Sequence, residues 1–577
     1  MNRRRGGWWA ALTAVLLAVS ACSTVPGSSA TVQITQIPTR PADVVGIEPL
    51  SPEPGAPPEE IVRSFIDAAA STRAGHPVAR QHLAPGAAES WSDEGSITVL
   101  SADYATVTTV TGAVAVTANL VGTVDDRGVF TVGGPGVFTR EFTLEQVGEQ
   151  WRISDPPDGL IMLEPDFVRL YDEVAAYFMD PTGQRVVPDP RYLISGEAQP
   201  TALVQRLLAG PSAGLAAGVR NPLTGVQRRS AVTVDGQTAV VDLTVPTIDP
   251  APVIEEICAQ LVWTLTQLDQ PRIRSVEIRV DGEPVNLEGV ADQQTRDDWP
   301  AFDPDAVPVD AVGHYLSAGA LHTVTSGEPA PGPAGTGGYN LSSAAVSADP
   351  SSGELTFLVG VQRNAAGATL FAGPYSGELA PVLSGSTLSA PTVAAPRAEA
   401  WVVRNGTDVV RVPAGGSAQA VSAPTLAGLG EAEALRLSPD GVRAALVIEG
   451  PGGLSLFIGT VVRSEDGVVD LRDLHEIAPE LSQVSDVTWR DSGNLYVLAI
   501  DPSEDRIVPY QVGVDGWGLT DVPTAGLPAQ ADSIAAAPTR QPLVSAGSTI
   551  WQLAGGTWVT LVRGQEPLPG NAPFYPL

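Results

Sequence analysis

A turn rich in small residues returns at intervals of roughly 45–50 residues through the C-terminal half of the chain. Its copies are Ser347-Ala348-Asp349, Ala394-Ala395-Pro396, Ser438-Pro439-Asp440-Gly441, Arg490-Asp491-Ser492-Gly493 and Ala536-Ala537-Pro538. Each turn precedes apolar segments with the composition of β-strands, such as 355–360 and 369–372. Repeats of about 40–50 residues with about four strands each are typical of a β-propeller. A set of unrelated β-sandwiches would not need so regular a phase.

Five such repeats are visible, and residues 315–324 resemble the inner part of a sixth. We therefore predict a β-propeller over residues 310–577 with about six blades, while five or seven blades remain open. The chain has 577 residues, which is too long for a single hydrophobic core. Further domains must therefore precede the repeats.

The first residues have the pattern of an export signal. Three arginines at positions 3–5 precede an apolar run over 8–19, which is too short to cross a ~30 Å hydrocarbon layer as a helix. Val19-Ser20-Ala21-Cys22 then matches a lipobox. We predict a signal peptide over 1–21, cleavage between Ala21 and Cys22, and an S-diacylglycerol (with palmitate among its acyl chains) and an N-acyl group on Cys22. The alternatives are an ordinary signal peptide and a buried N-terminal helix.

Charge and cysteine content exclude several classes of protein. The 65 acidic residues outnumber the 33 basic ones, and the net charge is −32 at pH 7. A nucleic-acid partner is therefore not expected, because phosphate is bound through basic patches. Only Cys22 and Cys258 are present, so a lipidated Cys22 leaves no disulfide. Cys258 lies on an apolar helical stripe and is expected to be a small core residue.

The first domain follows a proline-rich tether over residues 22–57. Residues 58–163 begin with a helix that places Ile61 and Phe65 on one face. Alternating segments at 96–100, 104–109, 113–120, 137–146 and 150–154 then predict strands. One helix followed by an antiparallel sheet resembles the NTF2-like fold, which is α+β. His76 and His82 lie in a polar loop without paired carboxylates, so we expect binding rather than catalysis here.

The second domain, residues 164–292, is also predicted to be α+β. The predicted elements are, in order, a strand at 175–178, a helix at 200–209, a hairpin through Asp235-Gly236, a long helix capped by Asp249 and Pro250, and a strand at 275–280. This order, with Val262-Trp263-Thr264-Leu265-Thr266 in the helix, resembles the GerMN domain. That resemblance implies binding or assembly and carries over no catalytic residues. Residues 293–309, with Pro300, Pro304 and Pro308, are predicted to be a linker.

The lipobox, the NTF2-like segment, the GerMN domain and the propeller, in this order, resemble the LpqB lipoprotein family of actinobacteria over essentially the whole chain. A chain without lysine fits the GC-rich genomes of those bacteria. The resemblance implies a lipid-anchored protein on the extracytoplasmic face of the cell membrane. It further implies that this protein binds the extracytoplasmic domain of an MtrB-like sensor kinase. Through the MtrA–MtrB two-component system it would affect cell-envelope growth and division.

Catalytic motifs are missing from the sequence. The histidines are scattered, without metal-ligand spacing, at positions 76, 82, 314, 322 and 475. No G-x-S-x-G or H-E-x-x-H motif occurs, and Asp349, Asp440 and Asp491 occupy repeated turns where Asx-type bonds explain them. We therefore expect no catalytic residues, no metal, no cofactor and no enzymatic activity. The alternative is a propeller that binds or processes cell-wall glycan.

Overall fold

The computed structural model describes residues 49–577 except 246–250, 309–311, 326, 350–351, 396, 465, 529 and 562–565. The predicted signal peptide, its cleavage site at Ala21, the lipidation site Cys22 and the tether up to residue 48 lie outside the described residues. The predicted helix cap of Asp249 and Pro250 lies outside them too. Among the described helices, none is long and apolar enough to span a membrane.

The first domain packs a sheet against helix α1 (Pro58–Ala69). Pro58 occupies the first turn, and Glu59 and Glu60 lie at the positive end of the helix dipole. Ile61 and Phe65 are buried in the domain core, which confirms the predicted apolar face. Two short helices follow, α2 (Pro77–Arg80) and α3 (Pro85–Ser90). The strands are β1 (Ile97–Thr108), β2 (Val114–Val124), β3 (Phe130–Val132), β4 (Val137–Phe142), β5 (Leu144–Val147), β6 (Gln150–Ile153) and β7 (Leu160–Leu163).

The sheet of this domain has the order β3-β2-β1-β7, with β4 also paired to β2. The two segments predicted at 96–100 and 104–109 form one strand, β1, whose register shifts between Leu100 and Tyr104. The segment predicted at 137–146 is instead divided into β4 and β5. The β5–β6 hairpin turns through Gly148, whose φ of 67° suits a residue without Cβ. Strand β7, which pairs in parallel with β1, was not predicted.

The second domain contains a hairpin, a mixed sheet and three helices, α4 (Glu164–Leu170), α5 (Gln199–Ala209) and α6 (Ala251–Leu265). Its strands are β8 (Tyr171–Met179), β9 (Val186–Ile194), β10 (Gln227–Arg228), β11 (Thr233–Asp235), β12 (Thr238–Thr244), β13 (Ser275–Val280), β14 (Glu283–Pro284) and β15 (Gln293–Gln294). The parallel strands β12 and β13 are connected by α6, as a parallel pair requires a crossover. The predicted hairpin, long helix and strand at 275–280 are confirmed.

The stretch predicted to be a linker, 293–309, is folded onto the second domain in its first half. Strand β15 pairs with β13, and Trp299 is buried in the core of the second domain. Trp299 donates its Nε1–H to Gln294 Oε1 at 3.1 Å. The second domain therefore extends to about residue 302, because a large aromatic side chain in this proline-rich stretch finds a buried site.

The C-terminal domain contains, within the described residues, six consecutive antiparallel sheets. The first has the order β17-β16-β38, from β16 (His314–Ser317), β17 (Ala320–Thr323) and β38 (Asn571–Phe574). The second and third contain β18 (Leu341–Ala348), β19 (Leu355–Asn364), β20 (Gly367–Pro374) and β21 (Ala380–Gly385), then β22 (Thr392–Ala394), β23 (Arg397–Arg404), β24 (Asp408–Pro413) and β25 (Gln419–Ala420).

After helix α7 (Leu426–Leu429), the remaining sheets repeat the four-stranded order. The fourth contains β26 (Glu431–Leu437), β27 (Arg443–Gly450), β28 (Gly453–Arg463) and β29 (Val469–Glu476). The fifth contains β30 (Ser482–Trp489), β31 (Asn494–Asp501), β32 (Arg506–Gly513) and β33 (Thr520–Asp521). The sixth contains β34 (Ala531–Ala535), β35 (Leu543–Ala546), β36 (Thr549–Ala554) and β37 (Thr557–Thr560).

The first strand of each four-stranded sheet contacts the first strand of the next sheet. Six strands contact one another in this way, in the order β18, β22, β26, β30, β34 and β38, and β38 in turn contacts β18. We call these six strands the inner strands. The interpretation of 315–324 as the inner part of a repeat was wrong, because β16 and β17 lie outside β38 in the first sheet. The inner position is taken by the C-terminal strand, which the local sequence pattern does not reveal.

Candidate functional site

The three domains meet at a group of aromatic side chains, the junction cluster, formed by Phe130, Phe167, Tyr171, Tyr192 and Trp517. Phe130 comes from β3, Tyr192 from β9, and Trp517 from the turn after β32. The Trp517 ring lies 5.0 Å from Phe130, 5.2 Å from Phe167 and 5.6 Å from Tyr192, between ring centroids. Aromatic pairs at these distances attract one another edge to face. The chain from Ile47 to Leu577 accordingly forms one compact unit.

One end of the C-terminal domain is covered by the second domain and the residues after it. Hydrogen bonds that cross this interface include those from Arg443 Nη2 to Pro188 O at 2.6 Å, from Ser492 N to Asp305 Oδ1 at 2.7 Å, and from Arg540 Nη2 to Pro308 O at 2.9 Å. The donors all lie in the turns that follow inner strands, or just after them. The C-terminal ends of the inner strands therefore face the second domain.

Buried charges accompany these contacts. Arg191 and Asp189 form an ion pair at 2.8 Å whose side chains are 0% and 4% exposed. Asp189 also accepts the backbone N–H of Ser212. Burial, with the charge of Asp491 nearby, raises the pKa of Asp305 to about 7. The stability of this region therefore depends on both Arg191 and Asp189. It also depends on pH, because Asp305 changes its protonation state near neutral pH.

A channel lies on the common axis of the six sheets, with a cavity of about 450 Å³. Every inner strand contributes lining residues. The polar members of the lining are Ser342, Ser343, Arg363, Thr392, Glu433, Arg436, Ser485, Asp486, Thr488, Asp532, Ser533, Ser545, Asn571 and Tyr575. Trp489 and Phe574 supply aromatic surface. This volume falls in the range of about 300–1,000 Å³ that is usual for small-molecule pockets.

The end of the channel that faces the second domain is closed. A separate space of about 30 Å³ at this end is lined by Arg185, Ala306, Val307, Pro308, Ala348, Ala395 and Leu577. Leu577 pairs with the end of β18, since its carbonyl accepts the Ala348 N–H at 2.9 Å. Glu433 and Asp532, near the starts of their strands, are exposed. The channel therefore opens at the face away from the second domain.

Several polar side chains of the channel join neighbouring sheets. Arg436 of β26 donates to Asp486 of β30 at 3.2 Å, and Asp486 accepts the Ile534 N–H of β34 at 3.0 Å. Thr392 accepts the Leu437 N–H, and Thr488 accepts the Ala536 N–H, each at 3.1 Å. Sequence reasoning missed all of these residues, because polar side chains are scattered among apolar ones along the inner strands and no local pattern shows which of them meet.

A second cavity, the acidic groove, borders the junction cluster and has a volume of about 400 Å³. Its lining is Phe167, Val168, Tyr171, Asp172, Glu173, Val174, Tyr192, Gln199, Gln267, Leu268, Asp269, Gln270 and Trp517, which includes three acids and no basic residue. Val168 is 60% exposed at its edge. Acidic side chains beside an exposed apolar one suit a partner surface with basic residues.

The structure gives each of the five histidines its own local partner. His76 Nδ1 contacts Asp93 Oδ2 at 2.7 Å, and His314 Nε2 contacts the Tyr375 hydroxyl at 2.6 Å. The Nδ1 atoms of the others lie near backbone carbonyls: His82 near Val78, His322 near Gly327, and His475 near Asp473. Burial lowers the pKa of His314 to about 4. In the described part of the chain no three His, Cys, Asp or Glu side chains could share a metal ion.

The repeated turn acids make the bonds predicted for them. Asp349 accepts the Ser352 N–H, Asp440 the Val442 N–H, and Asp491 the Gly493 N–H. Cys258 is fully buried in the second domain core, where burial raises the pKa of its thiol to about 12. Both observations agree with structural roles for these residues.

Comparison with known families matches each domain separately. Residues 319–576 match the "Lipoprotein LpqB beta-propeller domain", residues 51–168 the "Lipoprotein LpqB, N-terminal domain", and residues 175–286 the "Sporulation and spore germination" domain called Germane. Lipoprotein LpqB of Rhodococcus opacus (strain B4) is 32% identical, over 96% of this chain and 94% of that protein. The chain belongs to the LpqB lipoprotein family. Its C-terminal domain is therefore a β-propeller, and its second domain is of the GerMN-like Germane type.

Other LpqB proteins are similarly related. Lipoprotein LpqB of Mycobacterium tuberculosis (strain CDC 1551 / Oshkosh) is 32% identical over 90% of both chains. That of Mycolicibacterium smegmatis (strain ATCC 700084 / mc(2)155) is 31% identical, again over 90% of both chains. The similarity extends through all three domains, so the LpqB relatives have the same domain order as this chain.

Proposed function

We propose that this LpqB family member is a lipid-anchored protein on the extracytoplasmic face of the cell membrane that binds and modulates an MtrB-like sensor histidine kinase. The anchor is the acylated Cys22, which follows the signal peptide 1–21. The six C-terminal sheets are the blades of a six-bladed propeller, and the N-terminal domain is NTF2-like. The protein works by binding and has no catalytic activity.

The observation that carries this proposal is the identity of about 32% to LpqB lipoproteins along nearly the whole chain. Because all three domains match in order, the kinase partnership implied by the LpqB resemblance applies to the whole protein rather than to one module. The domains also form one compact unit, so a partner meets a fixed surface that spans more than one domain.

The acidic groove is the surface that we assign to the kinase. It lies where the second domain and Trp517 of the propeller meet, so a ligand there contacts residues of two domains. Its acids Asp172, Glu173 and Asp269 favour a basic segment of the kinase extracytoplasmic domain, and Val168 offers apolar contact. Charged rims of this kind accelerate association and give it a marked dependence on salt.

Calorimetry of the soluble protein, residues 23–577, with the kinase extracytoplasmic domain tests the proposal. We expect binding that weakens between 50 and 500 mM salt. The double variant Asp172→Asn/Asp269→Asn should bind roughly five- to tenfold more weakly and with a smaller salt dependence. The control Glu145→Gln/Glu149→Gln removes the same charge from the exposed β5–β6 hairpin and should bind normally. If both double variants weaken binding equally, the acidic groove is not the surface that binds the kinase. If the protein does not bind the kinase domain at all, the proposed partnership is refuted.

Absence of catalysis is tested separately. The histidines contact local partners, and sequence motifs for nucleophilic or metal catalysis are missing. Purified protein should therefore release no soluble fragments from peptidoglycan or wall glycan. Turnover that disappears on replacement of a single acid in the channel, such as Glu433→Gln, would overturn this part.

A further inference from the structure

The propeller channel contains polar groups that the fold itself does not use. Ser343 is 7% exposed and lines the channel, and its Oγ has no hydrogen-bond partner in the described part of the structure. A buried hydroxyl without a partner costs about 1–3 kcal/mol, so it persists where something else supplies the bond. We propose that the channel binds an uncharged, hydroxyl-rich ligand of the size of one sugar residue. This inference goes beyond kinase binding and does not depend on it.

Three further groups can donate hydrogen bonds into the same space. Thr392 and Thr488 each accept a backbone N–H from the next sheet, and their hydroxyl hydrogens remain for another acceptor. Arg436 donates one hydrogen bond to Leu435 O and one to Asp486. These two bonds use two of the five N–H groups of the Arg436 guanidinium. Together with Ser343, these side chains come from four different sheets and surround the channel. Several donors around one cavity fit a ligand that has several oxygen acceptors.

The charges of the channel favour a neutral ligand. Arg436 is already paired with Asp486, and both form bonds between sheets. The open end is lined by Arg363 as well as by the acids Glu433 and Asp532, so charges of both signs meet there and neither an anion nor a cation is favoured by all of them. The hydroxyl groups of the proposed ligand donate as well as accept hydrogen bonds, so they can bond both to Ser343 and to the acids at the open end. Phe574, which is half-buried, provides surface for the apolar face of a sugar ring.

The closed end of the channel limits how such a ligand can enter. Leu577 and the segment Ala306-Val307-Pro308 block the exit towards the second domain. A free sugar or the terminal unit of a glycan can therefore be accommodated, whereas the middle of a glycan chain cannot pass through. Both sources present the same hydroxyl-rich chemistry to the channel.

Saturation-transfer NMR on the soluble protein tests the proposal with glucose, N-acetylglucosamine and chitotriose as probes, and with acetate and tetramethylammonium as charged probes. We expect saturable binding of at least one sugar and none of the charged probes. Binding of the monosaccharides points to a free sugar, whereas binding of chitotriose alone points to a glycan end. Binding of no sugar, or of a charged probe in preference, would overturn the proposal.

Two variants locate the binding. Ser343→Ala removes the unpartnered hydroxyl, so it should weaken sugar binding about five- to tenfold while the melting temperature stays the same or rises. Ser485→Phe should abolish binding by filling the channel, because Ser485 is half-buried and lines it. Ser482→Phe, at an exposed site on the same strand outside the lining, is the control and should bind normally. Sugar binding that persists unchanged in Ser343→Ala and Ser485→Phe would place the site elsewhere and refute the inference.

Discussion

Replacement of Trp517 by alanine should uncouple the propeller from the two domains before it. Trp517 packs edge to face on Phe130, Phe167 and Tyr192, which belong to the N-terminal part of the chain. Each such pair contributes about 0.5–1.5 kcal/mol beyond burial, and truncating a core aromatic costs about 3–5 kcal/mol. Because Trp517 is only half-buried, we expect a loss near the lower end, about 3 kcal/mol.

Differential scanning calorimetry of the soluble protein measures this loss. For a unit of about 150–250 residues, 1 kcal/mol corresponds to about 2–4 °C, so the first transition should fall by roughly 6–12 °C. The N-terminal domains and the propeller should then unfold in separate transitions, since the contact that joins them is weakened. Limited proteolysis should release the propeller as a stable fragment more readily than in the wild-type protein.

Two control variants separate uncoupling from ordinary destabilisation. Trp558→Ala removes an equally large side chain that is 2% exposed and packs within the propeller core. It should lower the propeller transition without separating the domains. Tyr192→Phe removes only the hydroxyl that donates to Asp515 at 3.0 Å, and should cost about 1–3 kcal/mol because Asp515 loses that partner. If Trp517→Ala unfolds in the same way as Trp558→Ala, the junction cluster does not couple the domains.

Three further outcomes are expected. Cys22→Ala should leave full-length precursor and abolish incorporation of a radioactive fatty acid. Burial raises the pKa of Asp305 to about 7, so its contribution to stability is complete below about pH 4 and is lost as pH rises to 7. Asp305→Asn should therefore flatten the pH dependence of the melting temperature over that window. Arg191→Ala leaves the buried Asp189 unpaired and should cost about 3–5 kcal/mol in urea unfolding, whereas replacing the exposed Arg404 should cost under about 1 kcal/mol.

Local patterns predicted much of the fold, and non-local pairing accounts for most of what was missed. The strand at 275–280 and the start of α1 were predicted closely, because hydrophobic periodicity and proline placement decide them. Strand β9 was missed because Pro188 and Pro190 usually exclude a strand, yet it pairs only with β8 and lies in a two-stranded sheet. Strand β38 pairs with β16 across nearly the whole length of the domain, so no local signal indicates it.

The channel was invisible in the sequence for the same reason. Ser343, Thr392, Arg436 and Thr488 lie on separate strands, and each one alone resembles an ordinary polar residue beside a turn. Only the ring of inner strands brings them around one cavity, and one end of it is closed by Leu577 and by the segment Ala306-Val307-Pro308 that follows the second domain. The contacts that hold the domains together therefore also shape the pocket. A ligand in the channel contacts residues that bond neighbouring sheets to one another, so its binding should stabilise the propeller by RT ln(1 + L/Kd), which grows with the ligand concentration L.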